Sequence, residues 1–277
     1  MALKDILLLL DTAEGPSQSA DTAIDLANRF GAHVTALALS VDPIVPGLVV
    51  APIPIELIEA SREAAMKIAT DAVARFEELA RRSDISRETR IAEVLMGGIP
   101  QTFSIATRLT DLVVIGQDHP DHREPLREVL IETALFEGIA PILFVPYIAR
   151  EPLKTNKVMV AWDGSRPAAR AIHAAVALLP AGTSISIVMI GSAADQVGEP
   201  GADLATWLAR HRFRVSIETL PSAGLTVAQT MLNHVADRGF DLVVMGGYGH
   251  SWIREALIGG ATRDILAAMT VPVLMAH

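Results

Sequence analysis

Cysteine is missing from all 277 residues of the chain. Disulfides, thiolate metal centres and cysteine nucleophiles are therefore excluded, and the composition fits a reducing cytoplasm. Long apolar runs are missing too. The run that opens the chain, Met1 to Leu10, stops at Asp11, short of a signal-peptide core and far short of a bilayer span. No basic cluster is dense enough to suggest nucleic acid as a main partner. Catalytic patterns are equally scarce. There is no Ser-His-Asp arrangement of known spacing, no metal-binding helix motif, and no P-loop lysine after the glycines, where His250 stands instead.

What is present is core-forming material. Hydrophobic residues make up 51% of the chain and charged residues 20%, so disorder is excluded and one large or two ordinary domains fit the length. The net charge of −9 is unevenly placed. Residues 1–150 hold 13 Lys and Arg against 22 Asp and Glu, whereas residues 151–277 hold 10 of each. An anionic ligand meets less long-range repulsion in the second half.

The chain alternates strand and helix patterns, and then does so again. Lys4 to Asp11 reads as a buried strand closing on a carboxylate, Ser19 to Arg29 as an amphipathic helix stopped by Gly31, and His33 to Leu39 as a second strand. Ile55 to Arg82 is a long helix, Ser86 to Val94 a strand, Ile99 to Arg108 a helix and Asp111 to Gly116 a strand. Leu126 to Phe136 follows as a helix, then Pro141 to Pro146 as a fifth strand. From Asn156 the order restarts: Asn156 to Asp163 again closes a strand on Asp, Pro167 to Leu178 is its helix, and Ser184 to Ile190 the next strand. Ala202 to Arg210, Arg214 to Leu220 and Thr226 to Asp237 continue it. Asp241-Leu-Val-Val-Met-Gly246 restates Asp111-Leu-Val-Val-Ile-Gly116. The expectation is α/β: two tandem doubly wound domains, each a five-stranded parallel sheet flanked by helices, spanning 1–150 and 151–277.

The most informative stretch lies near the end. A buried strand, Leu242 to Met245, runs into Gly246, Gly247 and Gly249, and a second glycine pair, Gly259 and Gly260, precedes a helical segment from Thr262 to Met269. Glycines at a strand end let a ligand approach the main chain, and a helix start offers N–H groups backed by the positive end of the macrodipole. That surface suits phosphate.

At these residues the chain resembles the universal stress protein family, whose nucleotide-binding members carry Gly, two residues, Gly, nine residues, Gly, then Ser or Thr. Gly246, Gly249 and Gly259 fit the spacing; Gly260 stands where the hydroxyl residue is usual, and Thr262 offers one two positions on. The resemblance extends over essentially the whole chain as a tandem, two-domain member. It implies ATP or another adenine nucleotide in the C-terminal domain, with Mg²⁺ riding on the phosphates. Asp163, with Ala161 and Trp162 before it, would lie beside the adenine or ribose, and Ile190 would wall the base. Gly246, Gly247, Gly249, His250, Gly259, Gly260, Ala261 and Thr262 would hold ribose and phosphates. It further implies a stress-response regulator with at most slow ATP hydrolysis, cytoplasmic, forming a homodimer and meeting protein partners, without nucleic-acid or membrane partners.

Other roles fit the same residues. Asp163 could cap a helix, and the Gly246 group could serve close packing. His250, Arg254 and Trp252 could be loop residues only. In the first half, alignment of the repeats sets Glu132 opposite Gly259, placing a carboxylate where phosphate would sit, so that half is not expected to bind nucleotide. Asp118, His119, Asp121 and His122 have ligand types suited to zinc, although polar loops show such clusters by chance. The apolar loop Val41 to Pro54 could be a lid over its own core or a contact surface. A non-nucleotide interaction scaffold on the same fold is the alternative function.

Overall fold

The structure is a computed structural model, and it describes residues 3–13, 15, 17–42, 54–121, 123–124, 126–191, 201–221, 224–247 and 260–277. It divides into two compact units, residues 3–140 and 141–277. Among the described residues no helix is long and apolar enough to cross a membrane.

In the N-terminal unit the strands are β1 (Asp5–Leu9), β2 (His33–Asp42), β3 (Ser86–Leu95) and β4 (Leu112–Gly116), and the helices α1 (Gln18–Phe30), α2 (Ile55–Ala80), α3 (Ile99–Thr107) and α4 (Arg127–Phe136). The strands pair in the order β3-β2-β1-β4, all parallel. β1 and β4 are buried on both faces, which explains their unbroken apolar sequences. Helix α1 begins where Ser17 Oγ accepts from the Ala20 N–H at 3.3 Å, and it ends at Gly31, whose φ of 60° favours glycine. It packs on β1 and β4, and α2 packs on β2 and β3.

The C-terminal unit contains β5 (Ile142–Val145), β6 (Lys157–Ala161), β7 (Ser184–Ile190), β8 (Arg214–Leu220), β9 (Leu242–Gly246) and β10 (Val273–Ala276), with α5 (Arg166–Leu178), α6 (Ala202–Arg210), α7 (Val227–Arg238) and α8 (Ala261–Ala268). Five strands are parallel in the order β10-β9-β6-β7-β8. β5 departs from the sequence expectation. Its apolar run forms as anticipated, but it pairs antiparallel with β10, Leu143 opposite Leu274, and so belongs to this unit. The division therefore falls at Ala140–Pro141, ahead of the sequence boundary near residue 150. The Pro- and charge-rich stretch marks a break in pattern, whereas compactness follows strand pairing.

The repetition seen in sequence recurs in hydrogen bonding. Asp111 Oδ2 accepts from the N–H groups of Lys4 and Asp5 at 2.7 and 3.1 Å. Asp241 Oδ2 accepts from those of Asn156 and Lys157 at 3.0 and 2.9 Å. In each unit an aspartate ahead of one central strand satisfies the start of its neighbour, which fixes their stagger.

Candidate functional site

In the C-terminal unit strand order reverses between β6 and β9: β7 and β8 lie to one side, β10 to the other. Open α/β sheets bind ligands at such a reversal, outside the carboxyl ends of the strands. Val160 pairs with Val244, so the chain leaves β6 through Trp162 and Asp163 level with Gly246 and Gly247 at the end of β9. Helix α8 carries the chain back to the start of β10, which is parallel to β9, and so its N-terminus faces the same edge.

Each expected residue has an identifiable setting. Ala161 ends β6 and Ile190 ends β7, both half-buried. Trp162 is half-buried, its N–H donating to Val188 O at 2.9 Å. Asp163 is exposed, and its Oδ1 accepts from the Ser165 N–H at 2.9 Å. Ser165 in turn caps α5, its Oγ accepting from the Ala168 N–H at 3.2 Å. Asp163 thus shapes the turn into α5 and is exposed.

Gly246 has a packing reason to be glycine. A Cβ there would lie 2.6 Å from the Ala168 nitrogen and 2.9 Å from the Pro167 carbonyl carbon, so the first turn of α5 rests directly on the end of β9. Gly247 is buried. Gly260 is the N-cap of α8 with extended backbone (φ −76°, ψ 149°) and contributes no side-chain cap. The first intrahelical bond there is Asp264 N–H to Gly260 O, 3.1 Å. Ala261 opens the helix half-buried, and Thr262 is only 2% exposed. Gly249, His250 and Gly259 lie outside the described residues, as do Trp252 and Arg254.

The equivalent edge of the N-terminal unit is built differently. Arg127, at the start of α4, has a side chain only 5% exposed and is surrounded by carboxylates. Nη2 lies 2.7 Å from Asp11 Oδ1 and 2.8 Å from Glu124 Oε2, and Nε lies 3.2 Å from Asp118 Oδ1. Asp11, the counterpart of Asp163, also accepts from Ser17 and Ser19 through Oδ2, both at 2.9 Å. Glu124 Oε1 accepts from the N–H and hydroxyl of Thr12 at 2.5 and 2.8 Å. Arg75 Nη2 binds the carbonyls of Asp11 and Ala13. A Cβ on Gly116 would meet Asp11 Oδ1 at 2.9 Å, so this glycine makes room for the pair. Burial pushes the guanidinium pKa down, but Asp11, Glu124 and Asp118 together more than offset that, and it stands above its ordinary value.

This cluster was not anticipated from sequence, where Glu132 alone was taken to obstruct the first half. The signal was present: Asp11 ends a strand as Asp163 does, and an arginine follows two carboxylates, Asp118 and Glu124, within ten positions. The residues with zinc-ligand types have other partners where they are described. Asp118 serves Arg127, His119 Nδ1 accepts from the Asp121 N–H at 3.2 Å, and His122 lies outside the described residues. Among the described residues no three His, Asp or Glu side chains converge as a metal site. Of the apolar loop, residues 43–53 also lie outside the described residues.

Comparison with known proteins gives the same direction. The sequence model described as the universal stress protein family matches residues 154–277. A universal stress protein of Synechocystis sp. is 30% identical over 123 residues, 43% of this chain and 42% of that protein; the match thus spans less than half of that relative's length. Among solved structures, a universal stress protein from Archaeoglobus fulgidus is similar at a TM-score of 0.66 and 15% identity, covering 98% of this chain and 96% of that one. A Pseudomonas aeruginosa protein described under the same family name gives 0.59 at 14% identity, covering 99% and 92%. Likeness at these identities shows the fold.

Proposed function

We propose that the C-terminal unit, whose residues 154–277 match the sequence model of the universal stress protein family, binds ATP or a related adenine nucleotide and that the protein acts as a nucleotide-responsive regulator in stress. The observation that carries this reading is the meeting, at the strand-order reversal, of a glycine-rich strand end with a helix start at Gly260 that bears no side-chain cap. A glycine N-cap leaves the macrodipole's positive end without a competing side-chain acceptor. Gly247, Gly260, Ala261 and the expected Gly249, His250 and Gly259 would receive the phosphates, with Asp163, Trp162, Ala161 and Ile190 toward ribose and base. Thr262 contributes through its backbone position, since its side chain is buried. A bound nucleotide supplies phosphate charge for Mg²⁺, which seldom needs a full protein cage. Charge-assisted hydrogen bonds of about 1.5–3 kcal/mol each make micromolar affinity attainable after the entropic cost of binding.

The N-terminal unit supports no such reading, because Arg127 already satisfies Asp11. One nucleotide per chain is the expected stoichiometry. A cytoplasmic homodimer with protein partners accompanies this proposal.

A second reading, an interaction scaffold without nucleotide, is favoured by the structural duties of two site residues: Gly246 accommodates α5 and Asp163 holds the turn before it. Acid extraction of the purified protein and equilibrium binding of ATP separate the two. Nucleotide in the extract, or saturable binding that Gly259→Glu abolishes, supports the regulator. Absence of binding by the wild type supports the scaffold.

A further inference from the structure

The end of β10 grips Gly247 on both sides. Its N–H donates to Ala276 O at 2.9 Å, and its carbonyl accepts from Nδ1 of His277 at 2.9 Å. The carbonyl of His277 accepts from Arg170 Nη1 at 2.5 Å. Arg170 lies on α5, whose first turn rests on Gly246. Helix α5, the end of β10 and the end of β9 are thereby tied together around one glycine.

A carbonyl oxygen can only accept, so the contact assigns the imidazole proton to Nδ1. Gly247 is buried, and a buried carbonyl deprived of its donor is costly, so the bond holds the peptide in one orientation. Glycine needs such a restraint more than other residues, because its own dihedrals are permissive.

We propose that His277 is a positioning residue for the Gly246–Gly247 main chain at the end of β9, acting through the Gly247 carbonyl and not by touching ligand. This rests on the nucleotide reading of the same site and deepens it: affinity depends on a hydrogen bond to the main chain at the end of β9. An asparagine, which retains a side-chain N–H at similar reach, substitutes for the imidazole; an alanine does not.

The test uses the full chain as wild type, His277→Ala and His277→Asn. Nitrogen-15 NMR of the ligand-free protein should show His277 in the Nδ1–H tautomer. The Gly246 and Gly247 amide signals should shift in His277→Ala and hold their wild-type positions in His277→Asn, with the amides of the N-terminal unit unchanged throughout. Calorimetric titration with ATP and Mg²⁺ should show binding weakened about five- to tenfold in His277→Ala and restored to within about twofold in His277→Asn. An Nε2–H tautomer, unmoved glycine signals in His277→Ala, or an asparagine variant as impaired as the alanine one would overturn the proposal. Should the wild type bind no ATP, the nucleotide reading fails by itself, while the tautomer and the glycine signals still decide whether His277 holds the segment.

Discussion

Arg127 sets its Nη2 2.7 Å from Oδ1 of Asp11, a residue 116 positions earlier in the chain. The pair occupies, in the N-terminal unit, the edge at which the C-terminal unit keeps Asp163 exposed. One copy buries an arginine against its strand-end aspartate; in the other the aspartate is exposed to solvent. The two halves thus share a fold and differ in the charged groups packed at that edge.

Breaking this cluster should be expensive. Arg127→Met leaves Asp11, Asp118 and Glu124 together without their cation, and loss of one partner of a buried ion pair costs about 3–5 kcal/mol. Urea denaturation followed by circular dichroism measures it. A loss below about 1 kcal/mol, the range of a surface pair, would contradict the structural role assigned to Arg127.

The same variant carries a pH prediction. The folded pKa of Arg127 is raised above its unfolded value, so the stability it contributes is fully present below the unfolded value and is lost only as pH rises through the folded one. That window lies above the ordinary titration range of arginine, far on the alkaline side. The penalty of Arg127→Met should therefore be equal at roughly pH 7 and roughly pH 10. A penalty that shrinks across that interval would mean the guanidinium titrates within it.

Gly246→Ala places a Cβ 2.6 Å from the Ala168 nitrogen, against backbone that cannot rotate away. Overpacking of this kind costs about 1–3 kcal/mol. Thermal unfolding of the variant should show it. Wild-type stability would mean that α5 yields easily and that Gly246 is retained for ligand approach alone.

Much of this architecture could be read from the chain before its structure. Strand and helix spans were legible because apolar period and caps agree locally: Ser184–Ile190 and Arg214–Leu220 form as their sequences indicate. The antiparallel pairing of β5 with β10 was not legible, since four buried apolar residues carry no local signal for the direction of a neighbouring strand. At the site, spacing singled out Gly246, with Gly260 standing where the pattern has a hydroxyl residue, but whether a glycine admits a ligand or a helix depends on what packs against it. Asp163 is similar: its sequence position allows capping or ligand contact, and the structure gives it a turn to hold without hiding it. The Arg127 cluster joins a strand end to a loop and a helix start across 116 positions, a tertiary relationship that no local pattern encodes.

Gly260→Asp separates stability from binding. The backbone there is extended, a conformation any residue adopts, and Asp is a better N-cap than Gly by a few tenths of a kcal/mol. Unfolding should be unchanged or slightly delayed. Affinity for ATP should fall about tenfold or more, because a fixed carboxylate faces the phosphates. A variant that binds as the wild type does would place the phosphates elsewhere.

The central claim concerns which copy accepts an anion, and stoichiometry tests it most directly. Equilibrium dialysis of the full chain against labelled ATP with Mg²⁺ should saturate at one nucleotide per chain, with Gly260→Asp greatly weakening that site and Arg127→Met leaving it in place. Saturation at two per chain, or a single site that survives Gly260→Asp and vanishes with Arg127→Met, would contradict it.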